Sequence, residues 1–240
     1  MMSTDFEKFR IGDVFRSRKN KVFRISYEGR TLIAKVYPQS GGDSARREFE
    51  VLKKCSDLGL RVPVPIELAG STIVMSYLEG SNMSELVDPL LDPDELVDSD
   101  SVNRLVEGLA GWLASFHNAF EFRLCRGDTI LRNFLLSDGM TYGIDFEEVH
   151  DGDPMSDIGE LCASMLGMRP LFGPKNIEMT ASFVNRYWKS IGRGRSSDLP
   201  ESIAGALEHY ARFRDDGMVL NNWSKKIRAE GLRFLERPLS

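Results

Sequence analysis

Five side chains have the types and the order along the chain that phosphoryl transfer requires: Lys35, Glu48, Asp128, Asn133 and Asp145. A lysine held by a glutamate can grip the α- and β-phosphates of ATP, and a carboxylate can orient an acceptor hydroxyl and take its proton. An asparagine and an aspartate can bind Mg²⁺ against the phosphates. Such a reaction depends on positioning and charge neutralisation rather than on many bond-making side chains.

Each residue also has an ordinary interpretation. A lysine at the end of a strand is usually a solvated surface group, and Glu48 alone would be an acid on a helix surface. The Arg-Gly-Asp tripeptide at 126–128 would suggest cell adhesion in a secreted protein and chance in a cytosolic one. The ordered set, rather than any single match, therefore predicts a phosphate-transferring site.

Hydrophobic periodicity predicts the elements that position these residues. KVFRISYEG and RTLIAKVYP are β-rich runs that we expect to pair as a hairpin turning at 28–30. The next run predicts a helix that is capped by Asp43 or Ser44, carries Glu48 and ends at Gly59. STIVMSYLEG is typical of a buried strand and ends at residue 80.

The second part of the chain is predicted to be mostly helical. A wide apolar face indicates a helix over 101–117, and His117 at its end is expected to be a packing residue. Asp138 and Gly139 predict a hairpin turn. Because Asn133 precedes this hairpin and Asp145 follows it, we expect both side chains to converge on one metal ion. Further helices are predicted at 155–168, 176–191, 200–213 and 219–236.

This order predicts an α+β fold with two lobes. Residues 1–80 would form a small β-rich N-lobe, and residues 81–240 would form a mostly helical C-lobe. Between them, residues 82–103 contain seven acids and no Lys or Arg. A solvated connecting segment is the preferred interpretation, and binding of a cationic substrate is the alternative.

Composition excludes several other classes of protein. Hydrophobic residues make up 42% and charged residues 28% of the chain, and the net charge of −5 favours neither nucleic acid nor an anionic membrane as a partner. The cysteines Cys55, Cys125 and Cys162 have spacings that suggest neither a disulfide framework nor a zinc site. The polar N-terminus is unlike a signal peptide, so we expect a cytoplasmic protein.

Over about residues 10–168 the sequence resembles the protein-kinase-like superfamily. LIAKVY is similar to that family's strand with the ATP-gripping lysine, and ARREFEVLKKC is similar to the helix whose glutamate pairs with it. VMSYLEG resembles the hinge, RGDTILRNFLL the catalytic loop and GIDFEE the metal-binding motif. The resemblance implies adenine binding by the backbone near Ser76 to Leu78 beside Met75, phosphate binding by Lys35 with Glu48, a base at Asp128, and Mg²⁺ ligands at Asn133 and Asp145.

The atypical branches of the superfamily are more similar. GIDFEEVHDGDPMSDIGELC resembles the aminoglycoside and choline phosphotransferases, the RIO-like kinases and the kinase subunit of the KEOPS tRNA-modification complex. This resemblance implies that Asp157 braces the catalytic loop.

Four departures from the family pattern stand out. RSRKNKVFRI replaces the glycine-rich loop, so phosphate binding there would depend on Asn20, nearby lysines or backbone amides. Arg126 replaces the usual histidine, and Glu147 replaces a glycine. Only eleven residues separate Asp145 from Asp157, which is too short for a long regulated activation segment.

Three hypotheses for function follow. The first is an ATP- and Mg²⁺-dependent phosphotransferase acting on the hydroxyl of a small molecule. The second is a small atypical protein kinase or ATPase working within a complex, and the third is a non-catalytic nucleotide-binding module. Acceptor-binding residues are expected among the last seventy residues, where the arginines of GRGRSSD (192–198) could contact an anionic substrate if this run is not simply a solvated loop.

Overall fold

The computed structural model describes residues 10–15, 19–92, 99–194 and 196–235. The chain divides into two compact units, Met1–Glu79 with Gly143–Val149 and Gly80–Tyr142 with His150–Ser240. The first is built around a β-sheet and the second is mostly helical, which confirms the predicted α+β class. The predicted lobe limits of 1–80 and 81–240 stay a prediction. The compact units differ from those limits in that residues 143–149 join the first unit.

The first unit contains a five-stranded antiparallel sheet. Its strands are β1 (Arg10–Phe15), β2 (Lys21–Tyr27), β3 (Arg30–Val36), β4 (Pro65–Ala69) and β5 (Thr72–Ser76). They pair in the order β1-β2-β3-β5-β4. Glu28 and Gly29 both have positive φ (50° and 75°), as a two-residue hairpin turn between β2 and β3 requires, so the predicted hairpin is confirmed. Strand β5 ends four residues earlier than predicted.

Helix α1 (Gly42–Asp57) follows a short 3-10 turn at Gln39–Gly41. Its buried face carries Ala45, Glu48, Leu52 and Cys55 at helical spacing. The predicted cap at Asp43 or Ser44 is wrong, because the cap position is Gly41 and no side chain caps the helix there. The predicted end is confirmed, since Leu58 is the C-cap and the next residue, a glycine, has φ +75°.

The second unit carries short strands and two small sheets. Strands β6, β8 and β9 form one sheet, and β7 pairs with β10. Asp138 and Gly139 both have positive φ between β8 and β9, which confirms the predicted turn. A single 3-10 turn, Leu131–Asn133, leads into β8. The strands are β6 (Ser81–Asn82), β7 (Leu124–Cys125), β8 (Phe134–Ser137), β9 (Met140–Gly143) and β10 (His150–Asp151).

Six helices make up most of the described part of the second unit. They are α2 (Met83–Val87), α3 (Ser99–Ala119), α4 (Met155–Leu166), α5 (Pro174–Ile191), α6 (Leu199–Ala211) and α7 (Gly217–Glu230), with 3-10 turns at Asp88–Leu91 and Arg233–Leu235. Helix α3 packs on α5, α4 packs on α5 and α6, and α6 packs on α7. The five predicted helices in this part of the chain all form, with bounds that differ by at most six residues.

The acidic stretch is not simply a solvated connection. Its first part forms β6, α2 and a 3-10 turn, and Met83, Val87 and Leu91 are buried. In the sequence, the many acidic residues nearby obscured the helical spacing of these three apolar residues. The central part of the stretch, residues 93–98, lies outside the described residues. No helix in the described part of the chain is both long enough and apolar enough to span a bilayer.

Candidate functional site

In the first unit a buried lysine lies between two carboxylates. Lys35 on β3 is 6% exposed, and its Nζ lies 2.7 Å from Glu48 Oε2 on α1 and 2.7 Å from Asp145 Oδ1. Glu48 is 1% exposed. The ordinary surface interpretations of this lysine and this glutamate are therefore wrong, because neither side chain is solvated.

Burial and charge act in opposite directions on this pair. Burial disfavours the Lys35 ammonium, but the carboxylates of Glu48 and Asp145 outweigh it and raise the lysine pKa above its ordinary value. Complete burial raises the pKa of Glu48, which Lys35 and the Phe146 N–H partly offset. The ammonium is thus held charged in a place where an unpaired cation would be costly.

Glu48 also holds the segment that follows Asp145. Its Oε1 accepts the backbone N–H of Phe146 at 3.0 Å, and the Tyr37 hydroxyl donates to its Oε2. Asp145 has φ +61°, a left-handed conformation that is costly for a non-glycine residue. The hydrogen bond to the next residue helps to stabilise that conformation, so one glutamate positions both the lysine and the aspartate.

The Asp145 carboxylate fits a divalent cation. Its side chain is 44% exposed, and carboxylate oxygens are the hard ligands that Mg²⁺ prefers. The described residues contain no group of three or more His, Cys, Asp or Glu side chains that could hold a metal. A cation bound here would take further ligands from phosphate and water, as Mg²⁺ commonly does. The predicted convergence of Asn133 and Asp145 on one metal stays a prediction.

Two acids after Asp145 contact residues 19 and 20 of the segment that replaces the glycine-rich loop, and residues 16–18 of that segment lie outside the described residues. Asn20 Nδ2 donates to Glu147 Oε2 at 2.6 Å, and Lys19 pairs with Glu148. Glu147 Oε2 also lies 4.0 Å from the Lys35 ammonium. The sequence interpretation noted Glu147 only as a departure and missed this role. The available signal was the positive charge of the KNK run at 19–21, which is opposite to the charge of the two acids.

The predicted hinge has one backbone donor already in use. The Ser76 N–H donates to Val64 O at 2.9 Å, and Ser76 Oγ accepts the Val64 N–H at 2.8 Å. Met75 is buried in β5, one residue before. Of the two residues predicted to contact adenine, Leu78 is therefore the better candidate to donate a hydrogen bond.

In the second unit, Asp128 and Asn133 face each other across the predicted catalytic loop. Asn133 Nδ2 donates to Asp128 Oδ2 at 3.0 Å and to its backbone oxygen at 2.8 Å. Arg132 lies near the same carboxylate, with Nη2 3.7 Å from Oδ2. Asp128 has φ +41°. The loop thus presents a partly exposed carboxylate on a backbone that needs support.

Asp157 provides part of that support. It is completely buried on α4 and accepts the backbone N–H groups of Arg126 at 2.6 Å and Gly127 at 2.9 Å, and the Thr129 hydroxyl at 2.9 Å. Burial by itself would raise its pKa, but His117 and these backbone N–H groups outweigh burial and lower it. These contacts are the brace that the family resemblance implied.

Two residues have larger roles than the sequence predicted. His117 lies in the last turn of α3, with Nε2 3.0 Å from Asp157 Oδ2 and Nδ1 2.8 Å from Tyr187 Oη, so it is more than a packing residue. Arg126 is fully buried and donates to three backbone carbonyls of the loop, those of Gly127, Asp128 and Asn133, at 3.0–3.2 Å. Arg126 therefore ties the two ends of the loop together.

A cavity of about 320 Å³ lies within the second unit, partly in the region where acceptor contacts were predicted. Its wall includes Arg193, which lies over the Phe122 ring at 3.9 Å from the ring centre. The cavity therefore combines aromatic surface with one exposed cation, Arg193, and one exposed carboxylate, Asp153. The other lining residues are Pro154, Met155, Tyr187, Trp188, Ile191, Gly194 and Ser196.

Comparison with known proteins identifies relatives of this chain. Residues 13–154 match the RIO domain. The KEOPS complex subunit Bud32 of Pyrococcus abyssi is 29% identical over 102 residues, 42% of each chain. The EKC/KEOPS complex subunit BUD32 of Encephalitozoon cuniculi is 29% identical over 133 residues, which are 55% of this chain and 57% of that protein. The chain thus matches only about half the length of these two relatives.

A solved structure supports the fold over most of the chain. Amicoumacin kinase in complex with AMP-PNP and Ca²⁺ superposes with a TM-score of 0.63 at 13% identity, covering 92% of this chain and 87% of that one. At this identity the similarity concerns the fold alone. The fold is that of protein-kinase-like phosphotransferases.

Proposed function

Because the chain belongs to the RIO domain family of protein-kinase-like proteins, we propose that it is an ATP- and Mg²⁺-dependent phosphotransferase acting on the hydroxyl of a small molecule. The observation that carries this proposal is the buried Lys35 ammonium, 2.7 Å from the carboxylates of both Glu48 and Asp145. A cation held in this way is ready to bind phosphate oxygens without first being desolvated.

The nucleotide-binding roles follow from the chemistry of each group. Lys35 would bind the α- and β-phosphates, with Glu48 holding it in place, and the Leu78 N–H would donate to adenine. The Asp145 carboxylate and the Asn133 side-chain oxygen would bind Mg²⁺, since the Asn133 nitrogen already faces Asp128. When bound, Mg²⁺ would neutralise negative charge on the phosphate oxygens.

Asp128 is proposed as the base. Its carboxylate would accept the proton of the acceptor hydroxyl as the bond from that oxygen to the γ-phosphorus forms. The bond from the γ-phosphorus to the β,γ-bridging oxygen breaks, and ADP leaves with that oxygen. Arg132, which lies 3.7 Å from Asp128, adds positive charge near the carboxylate that receives the proton.

A small-molecule acceptor is favoured by the short segment between Asp145 and Asp157. Strand β10 (His150–Asp151) pairs with β7, and α4 begins at residue 155. Eleven residues between Asp145 and Asp157 are too few for the long segment on which peptide substrates of ordinary protein kinases dock. The wall of the second-unit cavity carries both Arg193 and Asp153, so it would offer an acceptor one charge of each sign.

The second candidate function is that of a small atypical protein kinase or ATPase working within a complex. The two relatives named as KEOPS complex subunits support it. A non-catalytic nucleotide-binding module is disfavoured, because the full set of five residues with catalytic chemistry is present.

One experiment separates these functions. ATP consumption by the purified protein would be measured with Mg²⁺ against a panel of hydroxyl-bearing metabolites, with and without candidate protein partners, using Asp128→Asn as the inactive control. Turnover with one metabolite alone is the expected result. Stimulation only by a protein partner would favour the second function, and absence of turnover under every condition would refute phosphotransfer.

A further inference from the structure

Helix α4 supplies a row of side-chain acceptors to the backbone of the catalytic loop. Asp157, Glu160 and Ser164 lie at positions i, i+3 and i+7, so they share one face of the helix. Asp157 accepts two backbone N–H groups that precede Asp128. Ser164 Oγ accepts the Leu131 N–H at 3.2 Å.

Glu160 occupies the central place in this row. Its Oε2 accepts the backbone N–H of Thr129 at 2.8 Å, directly after Asp128. The carbonyl oxygen of the same Asp128–Thr129 peptide accepts hydrogen bonds from Arg126 Nη1 at 3.0 Å and Asn133 Nδ2 at 2.8 Å. Glu160 therefore fixes the N–H group of this peptide, and Arg126 and Asn133 fix its carbonyl group.

This peptide holds Asp128 in its backbone conformation. Asp128 has φ +41°, which a non-glycine residue adopts only when its neighbours stabilise it. Rotation of the Asp128–Thr129 peptide would change ψ of Asp128, the angle that must accompany this φ in the left-handed region. The residue would then relax to another pair of angles and displace its carboxylate. The hydrogen bond from Thr129 to Glu160 opposes that rotation.

We propose that Glu160 is a positioning residue for phosphoryl transfer, acting through its hydrogen bond to the Thr129 N–H to hold Asp128 in the orientation that receives the acceptor proton. This inference rests on the proposed function. The hydrogen bond from Thr129 requires an acceptor oxygen on a side chain as long as that of glutamate. It does not require a negative charge.

Two substitutions separate reach from charge. Glu160→Gln keeps the side-chain length and an acceptor oxygen but removes the charge. Glu160→Asp keeps the charge but is one methylene too short. Glu178→Asp makes the same change at an exposed position of α5 and serves as the control.

The first measurement is turnover with Mg-ATP, using water as the acceptor and release of labelled phosphate as the signal. We expect Glu160→Asp to lower kcat at least about tenfold with little change in KM for ATP, because small displacements of a reacting group are costly. The kcat of Glu160→Gln should stay within about threefold of the wild-type value, and the kcat of Glu178→Asp should equal the wild-type value. Retention of activity by Glu160→Asp, or equal losses in the Asp and Gln variants, would overturn the inference.

The second measurement does not depend on turnover. Hydrogen exchange of the Thr129 backbone amide should be slow in wild type and Glu160→Gln and faster in Glu160→Asp. Equal protection in all three proteins would show that Glu160 does not hold this peptide. If wild type turns over ATP neither with water nor with any metabolite or protein partner of the panel above, the proposed function fails whatever the exchange result, so the two failures are distinguishable.

Discussion

Replacing Lys35 by Met should destabilise the first unit more than replacing its partner Glu48 by Gln. The methionine variant leaves the Glu48 carboxylate buried with no cation beside it. The glutamine variant leaves Lys35 with the Asp145 carboxylate, which is partly exposed, and with an amide oxygen at position 48. The asymmetry arises because Lys35 has a second carboxylate partner in Asp145, whereas Glu48 would lose its paired cation.

The distances and burial define the magnitude. At 2.7 Å and an effective dielectric constant of about 20, the Lys35–Glu48 attraction is roughly 6 kcal/mol before desolvation is counted. Breaking a buried pair by removing one partner typically costs about 3–5 kcal/mol, and we expect Lys35→Met to fall in this range. Glu48→Gln should cost about 1–2 kcal/mol, which corresponds to altered hydrogen bonds to Tyr37 and Phe146.

A double variant tests the cause. Lys35→Met with Glu48→Gln removes both charges, so it should be at least about 1 kcal/mol more stable than Lys35→Met alone. Lys53→Met is the matched control. Lys53 pairs with Asp57 on the surface of α1, the helix that carries Glu48, and both side chains are about two-thirds exposed. It should change the free energy of unfolding by less than about 0.5 kcal/mol.

The assay must report on the first unit. All three tryptophans (Trp112, Trp188 and Trp223) lie in the second unit, so their fluorescence would miss the change. Urea unfolding should be followed by hydrogen exchange of β3 amides together with circular dichroism. If Lys35→Met costs no more than Lys53→Met, or if the double variant shows the sum of the single costs, the buried pair does not contribute as described.

Three further predictions concern the other site residues. Asp128→Asn should keep near-normal Mg-ATP binding by calorimetry while phosphoryl transfer falls at least about a hundredfold, and equal turnover would contradict the base assignment. Asp145→Asn should lose the Mg²⁺-dependent part of the thermal shift produced by ATP, and an unchanged shift would count against a metal ligand. Because the pKa of Asp157 is lowered in the folded protein, its stabilisation is present above the ordinary carboxyl range and is lost as the pH falls through the lowered value. The stability gap between wild type and Asp157→Asn should therefore narrow below about pH 4, and a constant gap in urea titrations would refute that origin.

Local patterns were sufficient for most of the architecture. The Glu28–Gly29 and Asp138–Gly139 turns formed where their residue types predicted, since positive φ at both positions is a property of the turn itself. Helix α1 ended at Gly59 for a similar reason. The sequence-based interpretation of the acidic stretch was wrong because its abundant charges concealed the apolar pattern of Met83 and Val87, which are buried.

The sequence by itself determined which residues are candidates for phosphoryl-transfer chemistry and in which order the strands and helices occur, because residue type and periodicity depend on near neighbours. Only the tertiary structure decided what those residues contact. Lys35 meets Asp145 across 110 positions of sequence, and Asn20 meets Glu147 across 127. Arg126 and His117 support the loop because both side chains are buried and their polar atoms need hydrogen-bond partners there. Such contacts are set by packing between distant segments, and no local pattern records them.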